Sequence, residues 1–200
     1  TQVKQLRVNP KTNDVKTIST YATVAHEGLT GHMYQYAYMY ENQTNNFRKA
    51  IAGCQAYSEG YATYAQYECL KYLTDKIDED VLQLYKEAEL LNNSLTILID
   101  IGIHYEGWSQ SDVLDFLEDN GMVLDEESLS ALYKQLQANP AAFVPYYVGY
   151  EKIAQMKEEA QETLGDNFDH KLFHEALLET GTAPFDVVER HIDRYVENSQ

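Results

Sequence analysis

The spacing of apolar side chains changes once along the chain, close to residue 17. Before it, a short alternation surrounds a dense cluster of turn formers at residues 9–14, which predicts a short hairpin or an extended arm over residues 1–16. From Ile18 onward apolar positions recur with the period of an α-helix. We therefore predict helices over about 18–41, 45–73, 78–104, 110–119, 126–137, 141–163, 169–179 and 184–197.

The breaks between these helices contain the expected residue types. Ser109-Gln-Ser-Asp112 has the form of a capping box, Gly121 and Gly165 suit helix ends, and Pro184 suits a first helical turn. No internal repeat, low-complexity tract or long linker divides the chain. The sequence thus predicts an all-α fold, with a single multi-helix domain over residues 17–200.

Composition and charge limit the classes of molecule that the chain could bind. The 200 residues are 44% hydrophobic, which is enough for a real core. A formal net charge of −17 would repel nucleic acid, so we exclude that partner. No run reaches the roughly 18 apolar residues of a membrane-spanning helix. The chain begins at Thr1, so we expect it to be a piece of a longer protein, and its start does not indicate a compartment.

Two histidines and a glutamate on the first long helix carry the candidate chemistry. His26-Glu27 is followed by His32, and paired histidines beside a glutamate are typical of zinc peptidases. The histidines are six residues apart, which puts them about 120° apart on a regular helix. A shared metal ion therefore requires a π-bulge or a local break within Gly28–Gly31. The alternative is that both histidines are ordinary polar helix residues, with Glu27 on a solvated face.

Glu59 is the candidate for a third zinc ligand. It is the only carboxylate among residues 53–67, on the second long helix. In zinc peptidases with a glutamate ligand, that carboxylate comes from a separate downstream helix, and the fourth position stays open for water or substrate. Gly60 beside it would permit close approach of another backbone or of a substrate.

These strings resemble a known bacterial family. His26-Glu27-x-x-x-Gly31-His32-x-x-Gln35, followed by Glu59-Gly60-x-Ala62-x-Tyr64, is similar to the H-E-x-x-P-G-H-x-x-Q and E-G-W-A-x-Y motifs of domain of unknown function 885. Further similar motifs are D-x-G-x-H at 100–104, G-W-S at 107–109, P-G-Q-A-x-x-Y-x-x-G at 140–149, L-G-x-x-F-D at 164–169 and F-H-x-x-L-L at 173–178. The resemblance covers most of the chain.

The resemblance implies a fold and an activity. The family is similar to helical gluzincin metallopeptidases, its members extend well upstream of Thr1, and some carry envelope lipoprotein signals. Two departures bear on the site. Thr30 stands where the family has Pro, in the turn that must realign His32, and Asn93 and Thr96 stand where we expect family arginines.

The motifs also indicate roles for individual side chains. Glu27 would act as general base toward water. Tyr146 and His104 fall in family-like motifs and could donate a hydrogen bond to the developing oxyanion. A core role for Tyr146, and a structural pairing of His104 with Asp100 one turn earlier, remain open alternatives.

The sequence thus predicts a zinc metallopeptidase that hydrolyses peptides, present as the C-terminal part of a longer protein whose upstream part completes the cleft. One rival is a non-catalytic peptide- or ligand-binding domain of the same fold. Another is a fragment that is inactive without its upstream half. The resemblance favours the cell envelope or the cell exterior, and the oligomeric state stays open.

Overall fold

The computed structural model describes residues 5–12, 14–43, 45–51 and 53–200. Across these residues no strand forms, which confirms the predicted all-α fold. None of the helices in this described part is long and apolar enough to cross a membrane. The helices are α1 (Ile18–Glu27), α2 (His32–Asn42), α3 (Asn46–Ile51), α4 (Gln55–Glu68), α5 (Glu79–Ile101), α6 (Gln110–Asp119), α7 (Glu126–Ala138), α8 (Val144–Leu164), α9 (His170–Glu179) and α10 (Phe185–Ser199).

Short helical turns of other types extend three of these helices. Cys69–Leu73 and Gly165–Asn167 are 3₁₀ turns after α4 and α8, and Gly102–Glu106 is a π-helical turn after α5. The prediction of one helix over 45–73 was wrong, because the chain leaves the helical conformation before α4 begins. Cys54 there is extended, with φ −101° and ψ 101°.

The arm before α1 contains the predicted turn but no paired strand in its described part, residues 5–12 and 14–16. The backbone N–H of Thr12 donates to the Asn9 carbonyl at 3.3 Å, and the N–H of Lys11 donates to the Asn9 side chain at 3.1 Å. Residues 1–4 and 13 lie outside the described residues. The described part of the arm is irregular, and the prediction of a hairpin or extended arm over residues 1–16 stays a prediction.

The contacts group the chain into two compact units, residues 1–86 with 145–200, and residues 87–144. The prediction of a single domain over 17–200 stays a prediction. In the first unit α4 is the central helix, and it contacts both α1 and α2. Its tyrosines are core residues: Tyr57 is fully buried and donates its hydroxyl to the Leu177 carbonyl at 2.7 Å.

Two glycines let α4 and α8 approach closely. A Cβ on Gly60 would collide with the Gly149 backbone, and a Cβ on Gly149 would lie 2.7 Å from the Gly60 Cα. The expected close approach at Gly60 is thus made by another backbone. Because Gly149 lies about one helical turn after Tyr146, this contact brings that tyrosine near Glu59, the neighbour of Gly60.

The second unit has its own apolar core, formed by Ile99, Ile103, Val113, Leu117, Leu129 and Leu136. The predicted capping box at the start of α6 is present. The Asp112 carboxylate accepts from the Ser109 backbone N–H at 2.7 Å, while the Ser109 hydroxyl accepts from the Asp112 N–H at 3.4 Å.

A buried carboxylate holds the turn before α8. Asp100 is 4% exposed and accepts a hydrogen bond from the Ala141 backbone N–H at 2.7 Å. Ala141 has φ +59°, a left-handed conformation that is unfavourable for a residue with a Cβ. The motif that this segment resembles has glycine at the same place. The Asp100 hydrogen bond therefore helps to maintain a backbone conformation that alanine alone disfavours.

Replacing Ala141 by glycine is expected to stabilise the second unit by about 0.5–1 kcal/mol, since glycine adopts positive φ without the Cβ clash. Urea unfolding of both proteins measures the difference. Ala142→Gly is the matched control, because Ala142 does not have positive φ and its replacement should destabilise. Equal losses of stability in both variants would contradict this account of the turn.

Candidate metal centre

The turn between α1 and α2 determines where His32 lies. Gly28 leaves the helical conformation, with φ −88° and ψ −152°, after its N–H donates to the Val24 carbonyl at 2.9 Å. The N–H of Met33 then donates to the Gly28 carbonyl at 3.1 Å, a bond across five residues as in a π-helix. The predicted local break is confirmed, and α2 begins at His32.

Close packing requires glycine in this turn. A Cβ on Gly31 would collide with the His26 carbonyl and lie 2.7 Å from the Ala25 carbonyl oxygen. Thr30 closes the same turn, because its hydroxyl donates to the Ala25 carbonyl at 2.8 Å. The chain therefore folds back over the last carbonyls of α1.

The break brings the two histidines together on Glu59 of α4. Glu59 Oε2 lies 3.2 Å from His32 Nε2 and 3.5 Å from His26 Nε2. The two imidazole rings meet edge to face, with centroids 4.8 Å apart. One ligand atom from each of the three residues lies within 4.8 Å of the others. The three predicted ligands thus form one cluster.

Gln35 orients the His32 ring. Its side-chain oxygen lies 3.3 Å from His32 Nδ1, and its amide nitrogen donates to the Ser58 carbonyl at 3.5 Å. Gln35 is 2% exposed, so this orientation is held by the surrounding core. An Nδ1–H that donates to Gln35 leaves the Nε2 lone pair available to a metal ion.

Sequence reasoning missed Tyr36. Its ring stacks on His32 at a centroid distance of 6.0 Å, and its hydroxyl donates to the Ser58 hydroxyl at 3.3 Å. The helical spacing of four residues from His32 was the available signal, because residues i and i+4 share a helix face. Tyr36 covers one side of the His32 ring.

The cluster changes the acid–base properties of its members. Burial alone would raise the pKa of the Glu59 carboxyl, but hydrogen bonds and charge from His26 and His32 outweigh burial and lower this pKa to about 2. Burial alone would lower the pKa of His32, yet its hydrogen bonds to Glu59 and Gln35 raise it. Glu59 is therefore held as a carboxylate at neutral pH.

Tyr146 and Glu27 lie at the edge of the cluster. The Tyr146 ring stacks on His26 at a centroid distance of 6.0 Å and an interplanar angle of 16°. Burial raises the pKa of Tyr146, and the charge and hydrogen bond of Glu59 raise it further, with a smaller effect from Glu27. Glu27 is the last residue of α1, and its side chain is exposed.

His104 belongs to the second unit. Its Nε2 lies 3.1 Å from the Leu136 carbonyl oxygen and 3.3 Å from Asp100 Oδ1. That carboxylate oxygen is buried and has no other hydrogen-bond partner among the described residues. The structural pairing of Asp100 with His104 is thus observed, and a catalytic role for His104 stays a prediction.

A family model of bacterial proteins of unknown function, DUF885, matches residues 5–192. The chain belongs to this family. The match covers all of the cluster, the turn between α1 and α2, and Tyr146. Among curated proteins, none matches the chain.

Two solved structures are similar to this chain. One is described as "the putative lipoprotein from Colwellia psychrerythraea", with 27% sequence identity and a TM-score of 0.73 over 88% of the chain. The other, "a putative lipoprotein of unknown function from Shewanella oneidensis", has 22% identity and a TM-score of 0.70 over 84% of the chain, and it supports the fold alone. The chain spans 30% of the length of each.

The pKa shifts predict a pH window for the cluster in metal-free protein. Folding lowers the pKa of Glu59 from 4.5 to about 2. Its contribution to the free energy of unfolding is therefore fully present above pH 4.5 and is lost as the pH falls toward 2. Folding raises the pKa of His32 above 6.5. Its contribution to the free energy of unfolding is therefore fully present below pH 6.5 and is lost as the pH rises through the raised pKa.

Between pH 4.5 and pH 6.5, Glu59→Gln is expected to reduce the free energy of unfolding by about 1–3 kcal/mol. This loss should become smaller at lower and at higher pH. Urea unfolding at several pH values in the presence of a chelator measures it. Glu158→Gln, which removes an exposed carboxylate of α8, is the control. A loss independent of pH would show that charge does not hold the cluster.

Proposed function

We propose that this chain carries the zinc site of a metallopeptidase, with His26, His32 and Glu59 as ligands and Glu27 as general base. The observation that supports the proposal is the convergence of both Nε2 atoms on one carboxylate oxygen of Glu59, at 3.2 and 3.5 Å. Two imidazoles and one carboxylate are a ligand set typical of catalytic zinc, which leaves a fourth position for water or substrate.

Two of the three ligand separations fit a bound zinc ion. Zinc binds histidine nitrogen and carboxylate oxygen at roughly 2.0–2.2 Å, so neighbouring ligand atoms of a tetrahedral site lie about 3.3–3.5 Å apart. The two separations from Glu59 Oε2 agree with that edge length. The Gln35 hydrogen bond leaves Nε2 of His32 as the metal-binding nitrogen.

Zinc in such a site would polarise the substrate carbonyl and lower the pKa of water. The side chain of Glu27 is exposed beside the cluster, so its carboxylate can accept a proton from the attacking water. The same carboxyl group can then deliver that proton to the nitrogen of the leaving amine. Glu59, with its pKa of about 2, stays ionised and does not compete for this role.

Tyr146 is suited to the developing charge on the substrate carbonyl oxygen. Its raised pKa keeps the hydroxyl protonated, so the hydroxyl can donate a hydrogen bond to that oxygen. Stacking on His26 and the close contact of α4 with α8 fix the ring position. Such donors lower the barrier most when they are held in place before the reaction.

The lipoprotein description of the Colwellia psychrerythraea structure favours a cell-envelope location. Because the chain spans 30% of that structure, we place the complete peptidase in the longer protein, whose remaining part would supply further walls of the peptide-binding cleft.

Zinc analysis tests the ligand set. We expect one zinc ion per chain after dialysis, measured by plasma mass spectrometry, and at least about a hundredfold weaker binding in His26→Ala and Glu59→Ala. His191→Ala, on α10, is the matched control and should keep its zinc. A folded wild-type chain that takes up no zinc at micromolar supply would overturn the proposal.

Glu27→Gln in the full-length protein is expected to retain zinc and to lose peptide hydrolysis by about 10²–10⁴-fold, because general bases contribute that much. Mass spectrometry of a peptide library measures cleavage. Glu41→Gln, which changes an exposed glutamate of α2, should cleave at the wild-type rate. Full activity of Glu27→Gln would exclude this mechanism.

A further inference from the structure

A second cavity of the first unit lies away from the metal centre. It has a volume of about 440 Å³, and its walls include Leu29, Tyr34, Tyr38, Tyr61, Tyr64 and His174. Tyr34 and Tyr61 each follow a candidate zinc ligand by two residues. Residues two apart are rotated by about 200° around the helix axis, so their side chains lie on nearly opposite faces of the helix. The cavity therefore occupies the reverse faces of α2 and α4, and no candidate ligand lines it.

Six of the fifteen residues that line the cavity carry aromatic rings. Tyr34 and Tyr38 face each other with centroids 6.2 Å apart and an angle of 50°, and Tyr72 also lines the space. Tyr61 and Tyr64 are 4% and 3% exposed. A wall rich in aromatic rings favours a flat aromatic guest, because aromatic pairs gain energy beyond their buried area. The volume lies in the range of small-molecule sites.

One tyrosine hydroxyl at this cavity has no hydrogen-bond partner among the described residues. Tyr61 forms no hydrogen bond with any of the described residues, although the residue is 96% buried and lines the cavity. The neighbouring Tyr64 hydroxyl is satisfied, since it lies 2.8 Å from His174 Nε2. Because it lines the cavity and is not engaged by the protein, the Tyr61 hydroxyl can form a hydrogen bond with a polar group of a guest.

Two lysines and two glutamates, Glu68 and Glu175, line the same cavity, so its charged groups are balanced in a chain whose net charge is −17. Lys71 and Lys171 line it and are exposed. Lys157 contacts its wall, pairing with Glu68 at 2.7 Å and lying 5.3 Å from the centre of the Tyr64 ring. Lys171 forms no salt bridge within the described part of the chain. A cation at the mouth of an aromatic cavity favours a guest with a carboxylate.

We propose that this cavity binds a small phenolic carboxylic acid. The ring lies among the tyrosines, the phenol hydroxyl meets Tyr61, and the carboxylate meets Lys171 and Lys71 at the mouth. Nothing in this site depends on zinc or on peptide hydrolysis. The walls formed by Leu29 and the neighbouring Thr30 belong to the turn between α1 and α2, so the guest also contacts that turn.

Calorimetric titration of the 200-residue chain with N-acetyl-L-tyrosine tests the proposal. We expect saturable binding of one molecule per chain. N-acetyl-L-phenylalanine lacks the hydroxyl and N-acetyl-L-tyrosinamide lacks the carboxylate, so each should bind at least about fivefold more weakly, the equivalent of one hydrogen bond. Absence of saturable binding at millimolar concentration would overturn the proposal.

Conservative variants assign each contact. Tyr61→Phe should abolish the preference for N-acetyl-L-tyrosine over N-acetyl-L-phenylalanine, and Lys171→Gln should reduce the preference for the acid over the amide. Tyr105→Phe removes an exposed hydroxyl of the second unit and should change neither. Unchanged selectivity in either cavity variant would overturn the assignment. Wild-type binding by Glu59→Gln would support a separate site, and loss of binding in that variant would contradict it.

Discussion

The break in the helix between His26 and His32 is the constraint on which the candidate metal centre depends. Six residues of unbroken α-helix would turn the two imidazoles about 120° apart, and one carboxylate could not contact both. The turn at Gly28–Gly31 interrupts the helix, so the two imidazoles are no longer held about 120° apart. This turn is possible because Gly31 has no side chain to collide with the His26 carbonyl. The long-range contacts of the site then follow, since α2 and α1 both pack on α4, which carries Glu59.

Two opposing electrostatic effects act on the carboxylate of the cluster. Glu59 is largely removed from water, which disfavours its charge, yet the two histidines hold its pKa at about 2. In the absence of an ion, the proton on His32 Nε2 occupies the direction in which a metal would bind. Because Gln35 holds Nδ1 of His32, loss of the Nε2 proton leaves the ring in place. The cluster is therefore held in place without an ion, and protons would compete with a metal ion that binds there.

Local signals in the sequence were sufficient for most of the helices and for selecting the three side chains that cluster in the structure. The turn formers at Gly28 and Gly31, the capping box at Ser109 and the helical period each act within a few residues, and all appear in the structure. The split between α3 and α4 was not predicted, since the apolar period continues across Cys54. Contacts between segments far apart in the sequence could not be predicted either. The pairing of Gly60 with Gly149 joins positions 89 residues apart, and no periodicity records it.

Thr30, which stands where the motif has proline, is one of the two sequence departures that bear on the site. In the structure the Thr30 hydroxyl donates to the Ala25 carbonyl, so a hydrogen bond holds the turn that proline would hold by ring geometry. A purely structural histidine cluster would also need neither an exposed carboxylate at Glu27 nor a tyrosine kept protonated at Tyr146. Both lie at the edge of the cluster, where the proposed peptidase mechanism would use them.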